Sequence, residues 1–157
     1  MITDYNLQIL IEPLLNWFAG HARVLPWREE PTPYRVWVSE IMLQQTRVEA
    51  VKPYYERFLS ELPDIETLAN VEEDKLLKLW EGLGYYNRAR NLKLAAQQIM
   101  EQYGGKFPET YEKIRELKGI GNYTAGAIGS FVHSGCVQPQ EAVTRVMTSG
   151  PSPVFFI

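Results

Sequence analysis

The turn between two helices is encoded by Leu117-Lys118-Gly119-Ile120-Gly121-Asn122-Tyr123-Thr124-Ala125. Gly119 and Gly121 flank one aliphatic residue, so the backbone can turn tightly and bring bare amides to the surface. A helix is predicted to begin directly afterwards, and its positive dipole end therefore faces the same point as those amides. This arrangement is well shaped to bind one phosphate. An ordinary helix–turn–helix corner with a glycine cap is the alternative that these residues leave open.

A second informative segment, residues 32–46, places a glutamate in the middle of an apolar helix. Thr32 can cap this helix, and Pro33 sits at its first position, where no amide hydrogen is needed. Glu40 either pairs with Arg35, Arg47 or a helix N-terminus, or has its pKa raised by desolvation. The first case is structural, whereas the second makes Glu40 a candidate general acid. The helix neighbours that share its face are Val36, Trp37, Leu43 and Gln44.

The other apolar patterns are also helical, and none shows the convincing alternation of a strand. Helices are predicted at about residues 6–18, 70–81 and 87–103, and in two short pieces that flank residues 118–122. Thr46 and Glu49 read as a capping box that opens a further helix, which Pro63 ends. Gly20 is expected to close the first helix, and residues 70–73 look like a capped start. The pattern therefore predicts an all-α fold.

Composition limits the class of protein but not its partner. The chain has 157 residues, one domain's worth, with 45% apolar and 22% charged residues. No membrane span or signal peptide is evident, and the single cysteine, Cys136, fits a reducing compartment such as the cytoplasm. The net charge of −3 argues mildly against nucleic acid, but residues 82–93 carry three basic residues and no acid. We expect a cytoplasmic monomer.

Several motifs in one order resemble the helix-hairpin-helix DNA glycosylase superfamily, and within it the MutY-type adenine DNA glycosylases. The resemblance covers about residues 7–132 and rests on residues 25–28, 32–46, 79–91 (with its Gly-Leu-Gly-Tyr-Tyr turn), 105–108 and the hairpin at residues 117–125. It implies a lobe of the six-helix barrel type, with DNA in the cleft between two lobes. Members of this family remove adenine mispaired with 8-oxoguanine or guanine in base excision repair, and they flip the adenine out of the duplex.

The resemblance also assigns roles to individual residues. Glu40 matches the catalytic acid that protonates the adenine, and Tyr123 matches a residue that lies close to it in some members. Related endonuclease III-like lyases place a Schiff-base lysine where this chain has Tyr123, so lyase activity is disfavoured. The expected DNA-binding residues are Gln45, Leu83, Tyr85, Lys118, Gly119, Gly121, Tyr123 and Thr124, of which Leu83 and Tyr85 could instead be core residues. Looser candidates for the adenine pocket are Arg23, Trp27 and Arg28.

Three departures from the family pattern bear on activity. Gln140 stands where the family has a catalytic aspartate, and Glu141 is a doubtful substitute because one residue turns a helix by about 100°. One cysteine cannot ligate the four-iron cluster of full-length members, so this chain should hold no cofactor or metal. The domain that recognises 8-oxoguanine is also absent, so we expect a truncated member with an incomplete second lobe.

The predicted domain boundaries follow from the same family resemblance. Residues 1–19 are expected to belong to the second, cluster-bearing lobe, residues 20–132 to form the glycosylase domain, and residues 133–157 to be a divergent tail. Two functions remain open. The chain is either an adenine DNA glycosylase that uses Glu40, or a catalytically impaired fragment that binds DNA non-specifically through its hairpin. A third hypothesis is that the chain is a glycosylase for a base other than adenine.

Overall fold

Helices are the regular secondary structure of the part of the chain that the structure describes. A computed structural model describes residues 5–21 and 24–134, and within these ranges there is no β-strand. This confirms the prediction of an all-α fold. The helices are α1 (Tyr5–His21), α2 (Pro26–Glu29), α3 (Pro33–Leu43), α4 (Val48–Glu61), α5 (Ile65–Asn70), α6 (Glu73–Trp80), α7 (Asn87–Tyr103), α8 (Tyr111–Arg115) and α9 (Asn122–Ser134).

Helix α3 forms the centre of the fold, and local signals fix its start. The Thr32 hydroxyl accepts a hydrogen bond from the Arg35 amide at 3.2 Å, and Pro33 occupies the first turn, both as predicted. From Val36 to Met42 every residue is buried. The helix ends at Leu43, earlier than the predicted segment, because Gln44 leaves the helical conformation with ψ of 116°, and Gln45 then adopts a left-handed backbone with φ of 60°.

Two predicted helix caps are wrong. The Thr46 hydroxyl donates to the Gln44 carbonyl, and α4 begins after Arg47 without any side-chain cap. Asn70 does not open a helix, since it is the last residue of α5 and its amide group donates to the Glu66 carbonyl. The capping box lies instead at the start of α5. There Asp64 accepts from the Thr67 amide and the Thr67 hydroxyl accepts from the Asp64 amide.

The core joins α3 to the helices on either side of it. Helix α3 packs against α4 and α9, α5 packs against α7, and α8 packs against α9. Aromatic pairs fill the junctions edge to face: Trp37 meets Phe107 at 5.4 Å between ring centroids, and Phe58 meets Trp80 at 6.1 Å. Because α3 is enclosed by these contacts, any polar side chain on its buried face is held away from water.

Helix α1 ends close to its predicted position and leaves large apolar side chains exposed. It continues one residue past Gly20, where the sequence predicted its end, to His21, whose ring nitrogen Nδ1 lies 2.8 Å from the Trp17 carbonyl. Ile9 and Trp17 are exposed, at 71% and 59%. The assignment of residues 1–19 to a second lobe stays a prediction, as do the boundaries of the other two predicted segments. No helix of the described residues is long and apolar enough to cross a membrane.

Candidate functional site

Glu40 is a carboxylate that the fold buries. Glu40 lies on α3 and is 7% exposed, and this burial raises the pKa of its carboxyl group to about 7. Arg35 pairs with Glu30 at 2.6 Å. Within residues 5–21 and 24–134, no hydrogen bond or ion pair joins the Glu40 carboxylate to Arg35, Arg47 or a helix N-terminus. Of the two interpretations that the sequence left open, the structure therefore favours the desolvated acid.

Tyr123, at the first turn of α9, is close enough to Glu40 to be affected by its charge. Its residue is 50% exposed, and the pKa of its phenol is raised first by partial burial and then by the negative charge of Glu40. The two side chains come together because α3 packs against α9. A carboxylate at the edge of the core therefore borders a phenol that faces solvent, and this junction is the most chemically distinctive place in the described fold.

The predicted hairpin is present between α8 and α9. Gly119 has a φ of 75°, a left-handed conformation that suits glycine, and a Cβ built there would lie 2.7 Å from the Cβ of Asn91. The amides of Gly119 and Gly121 donate no hydrogen bond to any described residue, and both glycines are exposed. Lys118 is exposed, but its amide donates to the Gln98 side chain at 3.2 Å. The hairpin thus presents bare amides at the start of α9.

Of the five hairpin residues assigned to DNA binding, Thr124 is the one that is buried. It is 3% exposed, whereas its neighbour Tyr123 is half exposed. Its side chain is therefore covered by the fold. The assignment of Lys118, Gly119, Gly121, Tyr123 and Thr124 to DNA binding stays a prediction.

An open groove of about 750 Å³ lies between the end of α3 and the turn that precedes α7. Gln45 and Tyr85 both line it, and both have left-handed backbones, with φ values of 60° and 48°. The side chain of Tyr85 is 67% exposed. Two residues that are 40 positions apart by their numbers thus face one groove. The groove is lined by Gln44, Gln45, Tyr85, Tyr86, Asn87 and Arg88.

Leu83 and Trp27 belong to the core rather than to this surface. Leu83 is 7% exposed, which agrees with the alternative that it is a core residue. Trp27 is also 7% exposed, and its ring meets Tyr55 edge to face at 5.3 Å. Arg28 is half-buried, with its guanidinium 5.8 Å from the centroid of the Phe18 ring. Their roles in DNA or base binding stay predictions.

Three further residues with roles predicted from the sequence lie outside the described residues. They are Arg23, assigned to the adenine pocket, Gln140, at the position of the family aspartate, and Glu141, its doubtful substitute. In the described part of the chain, no group of three His, Cys, Asp or Glu residues could hold a metal ion. The four-thiolate cluster of the family does not fit this chain either, since Cys136 is its single cysteine.

Sequence reasoning missed one residue of the site, Arg88. Its guanidinium donates to five backbone carbonyls, three at the end of α3 and two in the turn before α7. The only sequence signal was its place in the acid-free stretch 82–93. That signal indicated a basic surface but not a residue that joins two segments.

The helical fold and the hairpin with Gly119 and Gly121 are the features on which the family of this chain can be judged. Residues 38–148 match the model of the HhH-GPD superfamily of base excision DNA repair proteins, and the chain belongs to that superfamily. The curated relatives that it resembles carry the name adenine DNA glycosylase. One from Buchnera aphidicola subsp. Baizongia pistaciae is 47% identical over 124 residues, which are 78% of this chain and 35% of that protein. One from Homo sapiens is 42% identical over 126 residues, which are 74% of this chain and 23% of that protein.

Solved structures agree on the fold. A thermostable thymine-DNA glycosylase superposes with a TM-score of 0.73 at 28% identity, covering 80% of this chain and 58% of that one. A trapped covalent intermediate of endonuclease III with DNA gives a TM-score of 0.68 at 19% identity, covering 85% and 62%. The chain spans about a third or less of the length of the curated relatives quoted above. Their activity is therefore a basis for a proposal about this chain.

Proposed function

We propose that this chain is a monofunctional adenine DNA glycosylase that hydrolyses the N-glycosidic bond of adenine mispaired with 8-oxoguanine or guanine. The observation that carries this proposal is the buried carboxyl group of Glu40, which forms no ion pair within residues 5–21 and 24–134 and has a pKa of about 7. A general acid works best when its pKa lies near the operating pH, because it is then protonated in part and still gives up its proton readily. The names of the relatives support adenine as the base.

The proposed reaction begins once the adenine has left the base stack. An extruded base exposes its ring nitrogens, which a stacked and paired base does not. Protonated Glu40 then transfers its proton to a ring nitrogen, so the bond between the sugar and the base breaks with its electron pair going to adenine. Positive charge develops on the sugar, as in glycoside hydrolysis, and water adds to the sugar carbon while its surplus proton is lost. Tyr123 borders this position and supplies a hydroxyl but no amine, so no Schiff base forms.

The hairpin and the groove have separate proposed tasks. The bare amides of Gly119 and Gly121 bind a phosphate, which fixes the register of the protein on the backbone without reading sequence. Binding through amides needs few basic side chains, so it is compatible with a net charge of −3. Gln45 and Tyr85 would enter the base stack beside the damaged guanine. Tyr85 suits this task because its aromatic ring is largely exposed.

The proposal is tested by single-turnover excision with protein in excess over DNA. The substrate is a duplex that contains adenine opposite 8-oxoguanine, and the same duplex with adenine opposite thymine is the DNA control. Glu40→Gln should lower the rate constant by about 10²–10⁴-fold, the usual contribution of a general acid. The matched control is Glu56→Gln, the same change at an exposed position of α4, which should cleave like the unchanged chain. Excision by Glu40→Gln at the rate of the unchanged chain would refute the assigned role.

A second candidate function is favoured by the sequence of residues 137–146. There Gln140 replaces the family aspartate, and loss of a group that stabilises charge in the transition state can cost several orders of magnitude in rate. Under this alternative the chain binds DNA through its hairpin and does not cleave. Equal binding of the 8-oxoguanine duplex by the unchanged chain and by Glu40→Gln, with no excision by either, would establish it. Excision of a base other than adenine would point to a glycosylase of different specificity.

A further inference from the structure

The Arg88 side chain caps the C-terminal end of α3, the helix that carries Glu40. Nη1 of its guanidinium donates to the Ile41 carbonyl at 2.8 Å, the Met42 carbonyl at 3.3 Å and the Gln44 carbonyl at 2.6 Å. Carbonyls in the last turn of a helix lack partners within the helix, so a cation is favourable there. The contact joins residues that are 44 to 47 positions apart in the chain, and it therefore fixes α7 against α3.

The same guanidinium also holds the turn before α7. Nη2 donates to the Leu83 carbonyl at 3.2 Å and to the Gly84 carbonyl at 3.3 Å. The group lies over two aromatic rings, 5.4 Å from the centroid of Trp80 and 5.7 Å from that of Tyr85. Trp80 also binds this turn, since its indole nitrogen donates a hydrogen bond to the Gly84 carbonyl at 3.1 Å.

Two of these acceptors directly precede the strained residues of the groove. The Gln44 carbonyl belongs to the peptide bond that leads into Gln45, and the Gly84 carbonyl to the one that leads into Tyr85. Both following residues have positive φ, which is unfavourable for residues other than glycine and persists only where the surroundings enforce it. Arg88 therefore contacts the peptide bond before each of these positions with one rigid, planar group.

We propose that Arg88 is a positioning residue that sets the spacing between Gln45 and Tyr85 and thereby controls how effectively the duplex is opened. The inference rests on the proposed function, because opening matters only if the chain extrudes a base. Lysine cannot take this role. Its ammonium is a single point of charge, whereas the guanidinium spans acceptors on two segments with a fixed fork of donors.

The test uses Arg88→Lys, which keeps the charge, with Arg90→Lys as the matched control. Arg90 lies on the same helix, but its ion pair with Glu73 is exposed, at 45% and 55% of the two side chains. The probe is a duplex with 2-aminopurine in place of the target adenine opposite 8-oxoguanine, because 2-aminopurine fluoresces more strongly when it leaves the stack. Stoichiometric titration gives the fraction of protein that is competent to bind, and anisotropy gives its Kd.

In Arg88→Lys the rate constant of the fluorescence rise should fall about 10–100-fold, the size expected when a functional group is displaced by about 1 Å. The Kd should stay within about threefold, since phosphate binding by the hairpin is untouched. Amides of residues 44–46 and 83–86 should exchange hydrogen faster than in the unchanged chain, and Arg90→Lys should match the unchanged chain throughout. A merely structural role would lower the competent fraction but leave the rate constant of that fraction the same.

Each other outcome is decisive. Opening by Arg88→Lys at the unchanged rate overturns the proposal, and so does unchanged hydrogen exchange in both segments. If Arg88→Lys leaves no competent fraction, Arg88 is needed for folding and the positioning role is overturned. If the unchanged chain binds the probe duplex without any rise in fluorescence, the proposed function itself fails, and the role of Arg88 fails with it.

Discussion

Replacing Glu40 with glutamine should stabilise the fold at neutral and alkaline pH. Burial raises the pKa of Glu40 from its ordinary 4.5 to about 7, so the native state binds this proton more tightly than the unfolded chain does. The free energy of unfolding therefore falls as the pH rises from 4.5 to about 7. At 1.36 kcal/mol per pH unit, the native state loses about 3 kcal/mol above pH 7 and nothing below pH 4.5. Glu40→Gln removes the charge and hence this loss.

The assay is thermal and urea unfolding followed by circular dichroism at pH 4.5 and pH 8, the two ends of the titration. At the higher pH, a gain of about 3 kcal/mol raises the midpoint by roughly 6–12 °C for a domain of this size. At the lower pH the variant and the unchanged chain should unfold alike. Glu56→Gln, at an exposed site, should differ little at either pH. Loss of stability in Glu40→Gln at high pH would refute the reasoning, because it would mean that a partner in the native state holds the carboxylate.

Three further predictions concern DNA binding and the hairpin. Gly119→Ala should cost about 1–3 kcal/mol of unfolding free energy in urea titrations, because its φ is 75° and its Cβ would meet Asn91 at 2.7 Å. Gly121→Ala has open space and should unfold like the unchanged chain; equal losses for both would contradict the hairpin geometry. Lys118→Ala should reduce the slope of log K against log salt by about 1 in anisotropy titrations, and an unchanged slope would exclude a phosphate contact. Tyr85→Ala should weaken binding to the 8-oxoguanine duplex by about 1–3 kcal/mol, the worth of one stacked base, and equal weakening on an undamaged duplex would argue against a role at the lesion.

Features that depend on neighbouring residues were predictable from the sequence. Thr32 and Pro33 predicted the start of α3, since a cap and a first-turn proline act within a few residues of each other. The glycine pair of the hairpin predicted the turn for the same reason. The desolvation of Glu40 was also foreseeable, but only as one of two alternatives. The choice required knowing that Arg35 turns to Glu30, which depends on the folded packing.

Features that depend on distant contacts were not predictable in this way. A Ser or Thr with an acid three residues later predicts a capping box, yet the Thr46 hydroxyl turns back to the Gln44 carbonyl where the left-handed Gln45 redirects the chain. Nothing local predicts that Gln45 or Tyr85 would adopt a positive φ. Arg88 contacts the carbonyl before each of them, and its partners at the end of α3 lie more than 40 positions away. Such a residue becomes visible only in the folded chain.

Whether a protonated Glu40 drives base removal can be decided by the pH dependence of single-turnover adenine excision at saturating protein. The proposal predicts a rate constant that is level at acid pH, half-maximal near the Glu40 pKa of about 7, and about tenfold lower for each further pH unit. Controls at each pH should show that the duplex remains fully bound. A rate constant that stays level from about pH 6 to 9, or a Glu40→Gln variant that cleaves at the unchanged rate, would contradict general-acid catalysis by Glu40.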